Sequence, residues 1–386
     1  MLKKYTQRLG PWLKWSIPWL KYGLGIGLLV FVVWRNWAPA SGPGLSSVWQ
    51  KHIVERQPVS VEPLVLACGI CLASVLLTFV RWYVLVRAQD LPFTLTNALR
   101  LGLIGFSLST FLPGSIGGDI IKGAFIAREQ SRRMVAVATV LIDRAVGLWG
   151  LCWLVALLGG LFWAHGDLAG RPAEGVLESI VVTASVLVAA SMAVWFLLGV
   201  LPGWRAQRFA GRLERIPKVG HSAAEFWRAI WMYRCKGASI AMTLLMAMVG
   251  HIGFVLTFYF AALTVLTPEQ IPSMAEHFLI VPIGMAFQAG FPAPGGVGGG
   301  EVAYGWVYEQ VGFLFASGVL ASLVQRVITW ALGLAGYVVY LRMRSGLLKS
   351  QEAATGTEQS LNGAQAGNGT GKQQLVSEAG YRNPIQ

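Results

Sequence analysis

An all-α polytopic membrane protein is the fold class this sequence predicts, on three observations. Of its 386 residues, 55% are hydrophobic and 13% charged, against roughly 25% charged in ordinary soluble domains. Uninterrupted apolar runs of about 20 residues recur, as lipid-spanning helices require, while the alternating ten-residue segments of an outer-membrane barrel are absent. Two further apolar segments are short, and each is broken by a Pro-Gly stretch: Pro113 to Asp119, and Phe291 to Glu301. Prolines lack a backbone donor and glycines cost conformational entropy, so neither stretch continues a helix. A backbone break at membrane depth leaves N–H and C=O groups that lipid cannot satisfy, and is tolerated only inside protein or beside water. The expected architecture is about six full transmembrane helices plus two re-entrant helical hairpins in an inverted repeat, over residues 1–344. A disordered polar tail, 345–386, is expected to follow.

Taken in order, the basic N-terminus (Lys3, Lys4, Arg8, Lys14) precedes a span from Ile17 to Trp37 and places that end in the cytoplasm. Bulky Trp34 and Trp37 and the proline of Ala38-Pro39-Ala40 favour an uncleaved anchor over a secretory signal. A second span, Pro63 to Val86, returns, with Arg81 close enough to its end to snorkel. Leu101 to Leu112 is only a dozen residues, then comes the first break and a second short run to Ala127. A complete crossing here would leave Arg128, Arg132 and Arg133 outside, against the positive-inside rule; a hairpin entering from the cytoplasm removes the conflict.

Met134 to Trp163 and Ile180 to Val200 cross next. Residues 203–236 then carry Arg205, Arg208, Arg212, Arg215, Lys218, Arg228, Arg234 and Lys236 among Trp204, Phe209, Trp227 and Trp231, which reads as amphipathic helices on the cytoplasmic leaflet or as an orientation-setting loop. Nucleic acid is not required to explain them. Ala238 to Leu266 crosses outward, Phe278 to Ala289 is again short, and the second break leads to a run from Glu301 to Val311. A last span, Phe313 to Leu341, ends at Arg342, Arg344 and Lys349, so both termini are expected in the cytoplasm of a cell-membrane protein, and the second hairpin enters from the opposite face to the first.

The two broken segments correspond. Gly117-Gly118-Asp119 is followed by Arg144, and Gly299-Gly300-Glu301 by Arg326, the same distance from acid to arginine in both. The breaks themselves comprise Pro113, Gly114, Gly117 and Gly118 in one half. In the other they comprise Pro292, Pro294, Gly295, Gly296, Gly298, Gly299 and Gly300. Chance alignment in a glycine-rich chain is the alternative; opposite orientation of two halves is a recurrent transporter plan. Half-helix N-termini meeting at the midplane present free N–H groups and positive dipole ends, which suit an anion such as phosphate. Arg326, deep in its span, needs a partner, and Glu301 is the candidate, with Asp119 and Arg144 as the equivalent pair. Both pairs are either locks for the hairpins or substrate-binding residues, together with Lys122, which alternatively pairs with Asp119 at i, i+3. Asp143 points around the helix from Arg144 and has no assigned role. His251 fits packing better than proton relay. Cys68 and Cys71 have a redox spacing but lie in an apolar helix, where packing explains them.

At these residues the chain resembles the lysylphosphatidylglycerol synthase transmembrane family, the flippase-like integral membrane proteins. The resemblance rests on Leu112-Pro113-Gly114, Gly117 to Lys122, Asp143-Arg144, Pro294 to Gly298, Glu301 and Arg326, and covers about Leu24 to Leu341. The family more often has Glu-x-x-Arg where this chain has Asp119 and Lys122, and Glu-Arg in place of Asp143-Arg144. The resemblance implies movement of a lipid between leaflets, with the soluble aminoacyl-transfer domain of some members expected to be missing. The expected partner is a membrane lipid with an anionic headgroup, a phospholipid or a polyprenyl-phosphate-linked lipid. A membrane-embedded glycosyl or lipid transferase, and a scaffold for envelope-synthesis proteins, are the alternatives. No nucleophile–base pair, metal-ligand cluster or P-loop is visible, and no cofactor is expected.

Overall fold

The computed structural model describes residues 11–39, 44–112, 117–130, 132–166, 170, 174–217 and 220–342. The first-break residues Pro113 and Gly114, the basic positions Lys3, Lys4, Arg8 and Lys218, and the tail 345–386 lie outside them. Among the described residues every regular element is a helix. In chain order these are α1 (Pro11–Arg35), α2 (Leu45–Trp49, followed by a π turn at Gln50–Val54), α3 (Val61–Ala88), α4 (Leu95–Phe111) and α5 (Gly117–Glu129). The continuous helix α6 (Arg133–Ala164) follows. Next come α7 (Glu174–Val200), α8 (Gly203–Glu214), α9 (Gly220–Arg234), α10 (Gly237–Leu263), α11 (Met274–Gly290) and α12 (Gly299–Gln310). The last is α13 (Phe315–Arg342).

Five of these, α3, α6, α7, α10 and α13, are long and apolar enough to cross a membrane, so the chain is a multi-pass membrane protein. The remaining expected span, 17–37, falls in α1, which stands outside those five. Residues up to Tyr337 form one compact unit; Val338–Gln386 is a second, of which the described part is the end of α13.

The short segments are longer than their apolar runs suggest, because capping extends them. The Thr94 side chain accepts the N–H of Asn97 at 3.2 Å, so α4 starts six residues before Leu101. At α11, the Ser273 hydroxyl accepts the N–H of Glu276 at 3.3 Å while the Glu276 carboxylate accepts the N–H of Ser273 at 2.7 Å. This reciprocal capping box moves the helix start ahead of Phe278.

Small residues let the helices approach closely, as membrane bundles require. A side chain at Gly253 of α10 would strike the hydroxyl of Ser74 on α3, and one at Gly150 of α6 would meet Ala247 of α10. Cys71 packs in the same α3 seam, with Ala67, Val75 and Ala261. Helices α4 and α5 close on one another at Gly105 and Gly118: an added Cβ would strike the Gly105 carbonyl oxygen at Gly118 and the Lys122 side chain at Gly105.

Helices α11 and α12 run back along each other, joined at three levels. Near the break, the Tyr304 hydroxyl lies 3.5 Å from the Gln288 side chain. Midway, Gly284 leaves room for the Tyr304 ring. At the far end, fully buried His277 spans the pair. Its Nδ1 lies 2.9 Å from the Ser273 carbonyl and its Nε2 lies 2.6 Å from the Tyr308 hydroxyl. A carbonyl only accepts, so Nδ1 carries the proton and Nε2 accepts from Tyr308. Phe258 of α10 packs its ring 4.4 Å from that of Tyr304, within the largest apolar cluster.

This arrangement sets a testable cost. Tyr308→Phe strands the buried Nε2 without a donor and is expected to lower stability by about 1–3 kcal/mol, read by thermal or denaturant unfolding in detergent. Unchanged stability would contradict the assigned proton positions.

Candidate functional site

The second break is held by one guanidinium. Gly295, Gly296 and Gly298 adopt φ of 55°, 67° and 83°, the left-handed region that only glycine enters at low cost. The turn leaves carbonyls aimed inward, and Arg326 of α13 collects them. Its Nη1 donates to the Gly295 carbonyl at 3.0 Å and its Nη2 to that of Gly296 at 3.4 Å, while Nε pairs with Glu301. Gln288 adds a second donor to Gly295 at 2.9 Å. Glu301, third residue of α12, also accepts the N–H of Gly298 at 2.7 Å, satisfying an orphan donor at the helix start. The side chains of Glu301 and Arg326 are 0% and 6% exposed. The pair is sealed.

The equivalent pair sits in different surroundings. Asp119, likewise third in its helix, bonds Nε of Arg144 on α6, yet the Arg144 side chain is 52% exposed. It borders a cavity of about 430 Å³ walled by α3, α4, α5, α6, α10 and α11. Asp119, Lys122 and Arg144 all line this cavity; Glu301 and Arg326 do not.

Three further residues line it that sequence reasoning placed elsewhere or left without a role. Arg81 does not snorkel: it is buried, its Nε donates to the Asp143 carboxylate at 2.8 Å and its Nη2 to the Asp143 carbonyl at 3.3 Å. The nearest carboxylate is thus inside the bundle, and a guanidinium follows its partner rather than the interface. Asp143 and Arg144, consecutive on α6, turn toward α3 and α5 respectively and hold two separate arginine pairs. His251 also lines the cavity, with Nε2 2.9 Å from the Gly147 carbonyl. Gly147 also leaves room for Arg81, since a Cβ there would lie 3.2 and 3.3 Å from its guanidinium nitrogens.

Lys122 forms no ion pair with Asp119. Gly105 leaves space for its stem, and its ammonium rests 4.3 Å from the centroid of buried Trp82. Trp82 is oriented by its Nε1 near the Thr139 hydroxyl at 3.3 Å and by an edge contact with Phe93. The ring face replaces the carboxylate as the cation's neighbour. The cavity therefore carries three cations, Arg81, Lys122 and Arg144, against two carboxylates, Asp119 and Asp143. The formal excess is one positive charge. The signal that could have found Arg81 was its depth in an apolar span together with an unassigned acid at Asp143.

The family model of the lysylphosphatidylglycerol synthase TM region matches residues 19–336. No curated protein and no solved structure matches the chain.

The two acid–arginine pairs should differ sharply on mutation. Arg326→Ala strands a sealed carboxylate and takes the donor from the Gly296 carbonyl, and is expected to cost about 3–5 kcal/mol. Arg144→Ala removes a half-exposed partner and is expected to cost about 1 kcal/mol or less. Unfolding of both variants in one detergent checks this, and equal losses would overturn the asymmetry.

Proposed function

Because the chain belongs to the lysylphosphatidylglycerol synthase TM-region family, whose members carry a membrane lipid-related domain, we propose that it is a lipid flippase. It moves an anionic phospholipid or a polyprenyl-phosphate-linked lipid between leaflets. The headgroup enters the charged cavity while the acyl or prenyl chains stay in the bilayer. The observation that carries this reading is the cavity itself, about 430 Å³ in volume with one cation in excess. Such a volume falls within the roughly 300–1,000 Å³ of ordinary ligand sites. An uncompensated positive charge at that depth is costly without an anion.

In this reading Lys122 and Arg144 are the phosphate contacts. The Lys122 ammonium lies against a ring rather than a carboxylate, so a phosphate oxygen displaces no ion pair there. Arg144 exchanges Asp119 for the phosphate, since a guanidinium presents its donors in a fork that fits either group. Helices α4–α5 and α11–α12 act as the two re-entrant hairpins, entering from opposite faces as an inverted repeat. Support for the hairpin arrangement comes from the cavity's walls: α4 and α5 contribute Gly105, Ser109, Asp119 and Lys122, while α11 contributes Met285 and Ala289. Arg326 and Glu301 serve the second hairpin's integrity, so the substrate meets one half of the repeat and the other half frames it.

The test is lipid movement in vesicles reconstituted with the purified chain, followed by chemical quenching of headgroup-labelled phosphatidylglycerol. Lys122→Gln and Arg144→Gln each remove a charged hydrogen-bond donor and are expected to slow movement by about tenfold or more. Movement of an uncharged diacylglycerol probe should not respond. Wild-type rates in both folded variants would sink the flippase reading.

A further inference from the structure

A second cavity, of about 370 Å³, adjoins the charged one at Leu148 of α6, which lines both, and is almost wholly apolar, walled by Ile142 and Trp149 of α6, Leu187 and Trp195 of α7, and Ile230 and Tyr233 of α9. Helices α6 and α7 are among the membrane-crossing candidates. Leu148 and Leu187 at its edge remain 60% and 53% exposed, so it opens outward from the bundle. In a bilayer its natural contents are hydrocarbon, since its wall is almost wholly apolar and offers water few polar partners. One end of this groove is closed by a basic helix. Helix α9 is fastened to the bundle by Tyr233, whose hydroxyl donates to the Leu85 carbonyl at 2.8 Å, and by Gln89, which donates to the Ala229 carbonyl at 3.0 Å. Arg234 lies one turn beyond Ile230 and donates to the Leu201 carbonyl at 2.9 Å, just past the end of α7. Its guanidinium carbon stacks 3.9 Å above the Trp231 ring.

The neighbouring helix α8 adds charge to the same end. It starts three residues after α7 stops, so chain connectivity keeps it at the membrane boundary. Arg205, Arg208, Arg212 and Arg215 follow one another at helical spacing along its exposed side. None of the four forms an ion pair among the described residues. Exposed Trp204 and Phe209 accompany them, the composition of an interfacial helix on an anionic surface.

We propose that this groove is a binding site for an anionic phospholipid, distinct from the charged cavity: one acyl chain lies between α6 and α7 under α9, and the phosphate sits on Arg234 at the basic end. An apolar groove with an arginine next in sequence to its lining residue Tyr233 matches a lipid with an anionic head and an apolar tail. It does not match a peptide or nucleic acid, which would leave backbone polar groups unsatisfied in the apolar part. The site does not rest on the flippase reading. Loss of transport would leave it standing, and its own failure would leave the charged cavity untouched.

The experiment measures lipid retained by the full chain after extraction from mixed phosphatidylglycerol and phosphatidylcholine vesicles, by native mass spectrometry. Wild type is expected to retain phosphatidylglycerol in preference. Arg234→Gln should reduce that preference about fivefold, the effect of one basic residue at an anionic leaflet, and Arg234→Lys should restore it. Ser191→Trp fills the groove, where Ser191 is a lining residue, and should abolish retention of both lipids. Ser185→Trp, on the same helix and outside the lining, should change nothing. Equal retention of the two lipids by wild type overturns the proposal. So does wild-type retention by a Ser191→Trp protein that unfolds at the wild-type temperature.

Discussion

A helix broken inside a protein leaves backbone groups that must find partners there, and at the second break of this chain the partners centre on one buried arginine. Arg326 bonds the carbonyls of Gly295 and Gly296 and pairs with Glu301, and Glu301 in turn takes the N–H of Gly298. Each partner is needed by the other. Without the carboxylate the guanidinium would be an unpaired buried charge; without the guanidinium the Gly296 carbonyl would lose its donor and Gly295 would keep only Gln288. The left-handed glycines serve the same end, since Gly295 and Gly296, at positive φ, both turn their carbonyls onto that fork of donors. The remainder of the second hairpin, with Tyr304 against Gly284 and Tyr308 on His277, packs onto this fixed point.

The first half repeats the acid-to-arginine spacing and puts it to a different use. Asp119 and Arg144 meet as Glu301 and Arg326 do, but Arg144 remains half exposed beside a cavity. Around it, Arg81 and Asp143 form a second, buried pair, and Lys122 lies against Trp82. A lock and an open site thus share one sequence pattern. The difference lies in what else surrounds the arginine. In the second half, break carbonyls and Gln288 crowd the pair. In the first, Gly105 and Gly147 hold back their side chains and leave space.

Much of the fold could be read directly. Long apolar runs located five of the six expected spans, with α7 starting earlier, at Glu174, than Ile180 and the first span standing outside the five, and the Pro-Gly stretches located the second break. The short segments were underestimated, because Thr94 and the Ser273–Glu276 box extend α4 and α11 through polar residues that hydropathy counts against a helix. The partnership of Glu301 with Arg326 was legible for a general reason: an arginine deep in an apolar span requires an acid, and few acids are available there. By the same reasoning Arg81 should have been matched with Asp143. It was not, because an arginine near the end of a span can reach the interface, and only the packing of α3 against α6 shows that it turns inward instead.

By itself the sequence determined that the chain is helical and membrane-crossing, that its second broken segment turns on glycines, and that Arg326, deep in its span, meets the acid Glu301. Each of these follows from local composition and the solvent properties of lipid, which act on every residue regardless of its distant neighbours. The tertiary structure alone decided which arginine is sealed and which lines a cavity, that Lys122 meets a tryptophan rather than Asp119, and that an apolar groove beside that cavity is lined in part by α9. Those outcomes depend on contacts between residues as far apart as Lys122 and Trp82 or Arg81 and Asp143. Their geometry is set by how closely small residues let the helices approach.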